Sequence, residues 1–151
     1  MQSLENRMTA EETKILGRRL VEALNAGNLA FVDELFATSY VDRNPAPGTT
    51  GDRQGLKQGL AAFKTAFPDS RYTIEEEIAE GDTLVHRLSA RGTHKGEFQG
   101  IPATGKQAVW SAIHIVRLLN GKIVEHWGIE DQLGMLQQLG LAPTMKVPAT
   151  R

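Results

Sequence analysis

The chain has 151 residues, a formal net charge of −1 at neutral pH and no cysteine. That length suits one domain with a core large enough to hold a pocket. Near-neutral charge without a basic run speaks against a nucleic-acid partner, and the lack of thiols removes disulfides, thiolate nucleophiles and sulfur-ligated zinc. No apolar run approaches the ~20 residues that a membrane-spanning helix needs, and the polar first residues lack the apolar core of a signal peptide, so the expectation is a cytoplasmic protein that meets no membrane.

Residues 1–8 read as a disordered lead-in, 9–143 as one domain and 144–151 as a tail. Thr9-Ala10-Glu11-Glu12 has the spacing of a capping box and predicts a helix to about Asn25 that buries Leu16, Leu20, Ala23 and Leu24. A short helix over 29–36 and a brief strand over 40–44 follow, before Pro45-Ala46-Pro47-Gly48 breaks the pattern. Asp52 is placed to cap a third helix that stops at Pro68, with Leu56, Leu60, Phe63 and Phe67 in one stripe. The stripe reads first as ordinary core; over a curved sheet the same helix also closes a cavity.

The period then changes to two. Tyr72, Ile74, Glu76 and Ile78 alternate with Thr73, Glu75 and Glu77, and Gly81-Asp82 marks a turn. Beyond it, Leu84, His86, Leu88, Ala90 and Gly92 share the less charged face of a strand, which turns His86 inward. Residues 100–106 match the glycine and lysine spacing of a phosphate-binding loop. Gln107, however, stands where a magnesium-binding Ser or Thr belongs, and a strand follows where a helix must.

The most strongly patterned stretch is a hairpin, with segments 108–118 and 123–129 flanking Asn120-Gly121, a dipeptide suited to a type I′ turn. If Leu119 faces Lys122, then His114 faces Trp127, Ala112 faces Ile129 and Trp110 faces Asp131, all on one apolar inward face. Val116, Leu118, Ile123 and Glu125 join them, while Ser111, Arg117, Val124, His126 and Glu130 take the opposite face. A short helix over 131–139 closes the chain before Gly140 and Pro143. Helices first, then antiparallel hairpin-joined strands, then a closing helix is an α+β order. The expected architecture is a curved antiparallel sheet wrapped around the N-terminal helices, a cone with an open mouth for a small hydrophobic molecule.

Within that wall Asp131 has two readings, an acid/base or the N-cap of the last helix. His114 is a proton carrier or a core histidine held by a hydrogen bond. Trp110 and Trp127 serve recognition or packing. The four histidines, His86, His94, His114 and His126, lack the close spacings of metal sites, and no metal is expected.

Residues 92–106 (GTHKGEFQGIPATGK), 115–127 (IVRLLNGKIVEHW), Asp131 and 137–140 (QQLG) together resemble the SnoaL-like polyketide cyclases, or ester cyclases, of the NTF2-like superfamily. The resemblance extends over 9–143. It implies the cone-shaped NTF2-like α+β roll, a homodimer or higher homo-oligomer formed through the exposed sheet face, and intramolecular aldol closure of a polyketide ester without metal or cofactor. It assigns the acid/base role to Asp131. Arg43 departs from the pattern, since many relatives carry a histidine near 40–45.

On that reading Asp131, poorly solvated among Trp110, Trp127 and Ile129, has a raised pKa and removes a proton next to a carbonyl. His114, or in second place His86, donates to the enolate oxygen. Phe63, Phe67 and the two tryptophans hold the substrate, with Tyr40, Asn44 and Ile129 completing its surroundings. Two further readings stand beside it. One is a binding protein without catalysis. The other is a limonene-type epoxide hydrolase, which needs two carboxylates bridged by an arginine; only Glu125 is placed to join Asp131, and no arginine is on that face.

Overall fold

The computed structural model describes residues 7–144. The expected disordered lead-in lies outside the described residues over 1–6, whereas Met8 is half-buried against the core. The tail beyond Thr144 also lies outside them. Helix α1 (Ala10–Ala26) starts on the capping box, Thr9 accepting from the Glu12 amide and Glu12 reaching back, and presents Leu16, Leu20 and Val21 to the core. Helix α2 (Phe31–Leu35) runs directly into strand β1 (Phe36–Asp42). Helix α3 (Arg53–Ala66) begins at Asp52, whose carboxylate accepts the Gly55 amide. Strands β2 (Arg71–Glu80), β3 (Thr83–Thr93), β4 (Gln107–Leu119) and β5 (Lys122–Glu130) follow as hairpins, and helix α4 (Gln132–Gln138) closes the domain.

The strands form one curved sheet in the order β1-β5-β4-β3-β2, open at both edges and not closed into a barrel. It is mixed rather than wholly antiparallel, because β1 joins β5 in parallel. The chain between these two partners runs through α3 and β2–β4, the long crossover that a parallel pair needs and a hairpin cannot make. The α+β roll with an open mouth is the architecture found.

The hairpin register holds at the turn and then steps. Asn120 and Gly121 both take positive φ, 51° and 74°, as a type I′ turn requires, and Leu119 pairs with Lys122. Between the pairs Leu118↔Ile123 and Arg117↔Glu125 one residue, Val124, is extra. This β-bulge reverses the phase of everything beyond it, since side chains alternate with a period of two. His126, Gly128 and Glu130 therefore face inward, and Trp127 and Ile129 face outward, opposite to expectation. A second bulge, at Glu75 in β2, likewise breaks the expected face of Tyr72, Ile74, Glu76 and Ile78: Glu77 pairs with His86 on the inner side and Ile78 is 50% exposed.

The two larger apolar clusters brace the sheet's concave side, with a small third one of Val21, Leu88 and Ala112. One gathers Leu16, Leu20, Phe31, Leu84, Val116 and Ile123, the other Phe67, Ala90, Trp110, Met135 and Leu139. Between them, under α1 and α3, lies a cavity.

Candidate active site

The cavity measures about 870 Å³. Its roof is the half-buried side of α3, Leu56, Leu60 and Phe63, so the stripe read as ordinary core also closes a space. Phe67 does not reach it; fully buried, it stands behind Phe63 with ring centroids 5.2 Å apart. At this end Phe63 also meets Trp110 edge to face at 6.1 Å, and Phe98 from the 94–106 loop at 6.4 Å. Tyr40, Asn44, His86, Trp110, His114 and Asp131 all line the cavity, and Ile129 borders it while remaining 69% exposed. Trp127 is on the far side of the sheet.

A polar belt crosses the wall between the two larger apolar clusters, drawing on every strand. On β2 and β3, Glu77 and His86 are opposed, with His86 Nε2 2.7 Å from Glu77 Oε2, and Arg18 of α1 pairs with the same carboxylate at 3.1 Å. His114 on β4 stands directly opposite His86. Its Nδ1 is 2.7 Å from His126 Nε2, and His126 Nδ1 is 2.9 Å from Asp42 Oδ1, Asp42 and His126 being partners across the parallel pair β1 and β5. Gly128 makes the contact between the histidines possible: a Cβ there would lie 2.6 Å from His114 Nδ1 and 2.8 Å from His126 Cε1.

The electrostatics of the belt follow from its burial. Burial, aided by the neighbouring His126 and His86, pushes His114 down from 6.5 to about 3, so the ring is neutral at pH 7. Burial alone would raise the Asp42 carboxyl. A hydrogen bond and charge from His126, with the Asn44 amide, outweigh it and hold Asp42 below the usual carboxylate range. Burial and the Asp42 charge push the Tyr40 phenol far up. Tyr40 Oη and His114 Nε2 are buried with no partner in hydrogen-bonding geometry among the described residues.

The inward carboxylate at the Trp110 end is Glu130, which sequence reasoning had turned outward. Tyr72 Oη donates to it at 2.7 Å and Trp110 Nε1 at 3.2 Å. Burial first, and then the Glu130 charge and hydrogen bond, raise the Tyr72 phenol well above its ordinary value. Asp131 follows at the mouth. It is exposed, not enclosed by Trp110, Trp127 and Ile129, because the bulge turns Trp127 and Ile129 away. Its Oδ1 accepts the Gly134 amide at 2.9 Å as the N-cap of α4. The cap and a position on the cavity wall coexist in one side chain.

His126, Asp42, Glu130 and Tyr72 were missed as site residues. The first three depend on the bulge or the parallel β1 pairing, neither of which leaves a trace in hydrophobic periodicity. Glu125, expected inside, is held by Arg43 at 2.7 Å and Arg117 at 3.0 Å, and among the described residues no arginine lines the cavity. Arg43 thus ends in an ion pair on the outer side of β5. Lys64 is the one cation on the cavity wall among the described residues, and its Nζ is already directed to Asn25 O, Ser70 O and Ser70 Oγ. No group of three or more His, Asp or Glu is placed to hold a metal ion among the described residues. No described helix is long and apolar enough to cross a membrane.

A family model described as SnoaL-like polyketide cyclase matches residues 14–139. The aklanonic acid methyl ester cyclase DnrD of Streptomyces peucetius is 33% identical over 133 residues, covering 83% of this chain and 88% of that protein. Among solved structures, IdmH from Streptomyces antibioticus superposes with a TM-score of 0.73 at 35% identity, covering 84% of this chain and 97% of its own. TsrD from Streptomyces laurentii superposes with a TM-score of 0.81 at 25% identity, covering 89% of this chain and 99% of its own.

Proposed function

The chain belongs to the SnoaL-like polyketide cyclase family and is a polyketide-cyclase-like enzyme, and on that premise we propose that it closes a ring in a polyketide ester by cofactor-free intramolecular aldol chemistry. The observation that carries the reading is one cavity of about 870 Å³ with an exposed carboxylate, Asp131, at its mouth and a neutral buried imidazole, His114, on its wall.

Asp131 removes the proton next to a carbonyl. Its Oδ1 is engaged by the Gly134 amide, which fixes the carboxylate, and Oδ2 takes the proton. The pair of electrons from the broken C–H bond becomes the enolate, whose carbon attacks a second carbonyl of the same molecule. His114 Nε2 faces the oxygen on which charge develops. Phe63 and Trp110 hold the flat, apolar part of the substrate, and much of the acceleration comes from keeping the two reacting carbons in contact. The cavity walls carry three carboxylates, those of Asp42, Glu130 and Asp131, against one engaged cation, which suits a neutral ester. This supports an ester substrate over a free acid. We further infer that a second copy of the chain covers the outer face of β4 and β5, where Val109, Ile113, Trp127 and Ile129 form an exposed apolar strip beside the Arg117–Glu125 ion pair.

The decisive experiment is turnover of methyl esters of aromatic polyketides by the parent and by Asp131→Asn. Aldol closure conserves mass, so product is read by chromatographic shift at unchanged mass. Asn caps helices as well as Asp does, so the variant keeps its melting temperature while losing on the order of 10²- to 10⁴-fold in kcat. Undiminished turnover by the variant sinks the assignment of the base. Binding of such esters with no new product, by the parent protein, would point to the non-catalytic carrier instead.

A further inference from the structure

His114 Nε2 can donate only while it carries the hydrogen, and the belt decides when it does. An ionised Asp42 can only accept, so His126 Nδ1 carries a proton toward it. When the pair of histidines holds two protons in all, His126 Nε2 is then a bare lone pair, His114 Nδ1–H donates to it, and His114 Nε2 is a lone pair as well. Add one proton, and His126 becomes an imidazolium whose Nε2–H donates to His114 Nδ1. His114 Nε2 must then bear the hydrogen. His114 is neutral in both states, and only its tautomer changes. This agrees with the burial that holds its own protonation down to about 3.

We propose that Asp42 and His126 are positioning residues that switch His114 Nε2 between acceptor and donor, so that His114 polarises a substrate carbonyl only while the Asp42–His126–His114 chain carries one extra proton. The proposal rests on the assignment of His114 to the substrate oxygen and adds what arms it. Two features of the structure support it. The three side chains are in hydrogen-bonding sequence from the cavity wall to a carboxylate, at 2.7 and 2.9 Å. The far end of that sequence, His114 Nε2, is a buried nitrogen without a hydrogen-bond partner among the described residues, a cost that a ligand oxygen would relieve.

If the proton is passed on, the balance closes. His114 Nε2–H goes to the substrate oxygen, His126 Nε2–H moves to His114 Nδ1, and His126 is left neutral with its Nδ1–H still on Asp42. The charge thus never resides on the buried ring that touches substrate; it stays beside the carboxylate that stabilises it. Other charged and titratable groups facing the chain are Tyr40 on β1, His86 on β3 with Glu77 of β2 and Arg18 of α1 behind it, and Glu130 further along β5. Arg43, Glu125 and Arg117 flank it on the outer side as a closed ion-pair group.

The test is an imidazole ¹⁵N NMR titration of the ¹⁵N-histidine-labelled protein without substrate, assigned with His114→Gln and His126→Gln. As pH falls, His126 should become cationic, and over the same interval His114 should pass from the Nδ1–H to the Nε2–H tautomer without becoming cationic. In Asp42→Asn that coupled transition should move down by about one pH unit or more, and the alkaline limb of kcat/KM should move with it. In His126→Gln, His114 should keep one tautomer at every pH. A His114 that never changes tautomer in the parent, that takes the positive charge itself, or that switches unchanged in Asp42→Asn overturns the proposal. Because the titration needs no turnover, coupled switching in a protein that closes no ring would uphold the relay and sink the cyclase chemistry instead.

Discussion

Gly128 stands directly opposite His114 across β4 and β5, and its missing side chain is the space in which the His114 and His126 rings lie with centroids 5.0 Å apart. The φ of Gly128 is not in the left-handed region, so the requirement is room and not backbone freedom. Gly128→Ala is therefore expected to separate the histidines. Stability should fall by about 1–3 kcal/mol, as for other overpacked interiors, and the His114–His126 hydrogen bond should be lost. Urea denaturation reads the first and imidazole ¹⁵N shifts the second. An unchanged midpoint with unchanged shifts would show that the strands yield at no cost.

Gly134 gives a cleaner separation of folding from chemistry. It lies in the first turn of α4, where Ala is about 1 kcal/mol better than Gly for helix. A Cβ there would lie 2.3 Å from Asp131 Oδ2, so the carboxylate must swing away. Gly134→Ala should leave the melting temperature within a few degrees, helix propensity offsetting the weakened cap, while kcat drops on the order of 10²-fold. Equal falls in stability and rate would mean that Asp131 matters only as a cap.

Stability should depend on pH in a window set by His114. In the unfolded chain the ring takes up a proton near 6.5; in the fold it does so only at about 3. The unfolded state thus binds more protons between these values. Stability is full above about 6.5 and declines as pH falls toward 3, by at most about 1.4 kcal/mol per pH unit. The lowered carboxyls of Asp42 and Glu125 add a second loss, as pH falls below the ordinary carboxylate range. His114→Gln should flatten the slope between pH 6.5 and 4 and leave the second loss in place. Melting curves across that range decide it, and a parent whose stability is level there would refute the buried neutral ring.

Ile113 and Ile129 are partners across β4 and β5, 51% and 69% exposed. If a second copy covers this strip, Ile113→Lys should convert a dimer to a monomer in sedimentation velocity without changing the fold. A parent that sediments as a monomer at high concentration removes the interface.

Much of this was legible in the chain. The capping box at Thr9, the helix from Asp52 to the Pro68 boundary and the Asn120-Gly121 turn carry local chemistry that no neighbour can override, and each is where the residues indicated. Asp131 as a helix cap was readable for the same reason. The lining residues Trp110, His114, His86, Tyr40 and Asn44 were also legible, because they precede or avoid the irregularity in β5. What failed is the phase of β5. Nothing in Lys122-Ile123-Val124-Glu125 announces an extra residue, since two adjacent β-branched apolar side chains fit either face. The parallel seat of β1, which delivers Asp42 to His126, is a long-range pairing with no local signature.

Val124 acts as a parity switch. With it in place, the odd-numbered residues of the last strand go to the outer surface and the even-numbered ones to the chamber; without it, an indole and an isoleucine would exchange places with an imidazole and a carboxylate. One codon gained or lost would leave overall likeness between two chains almost untouched while replacing the chemistry of a whole wall. For chains built this way, kinship of fold is inherited residue by residue, but kinship of reaction is inherited through the count of residues between a turn and a helix.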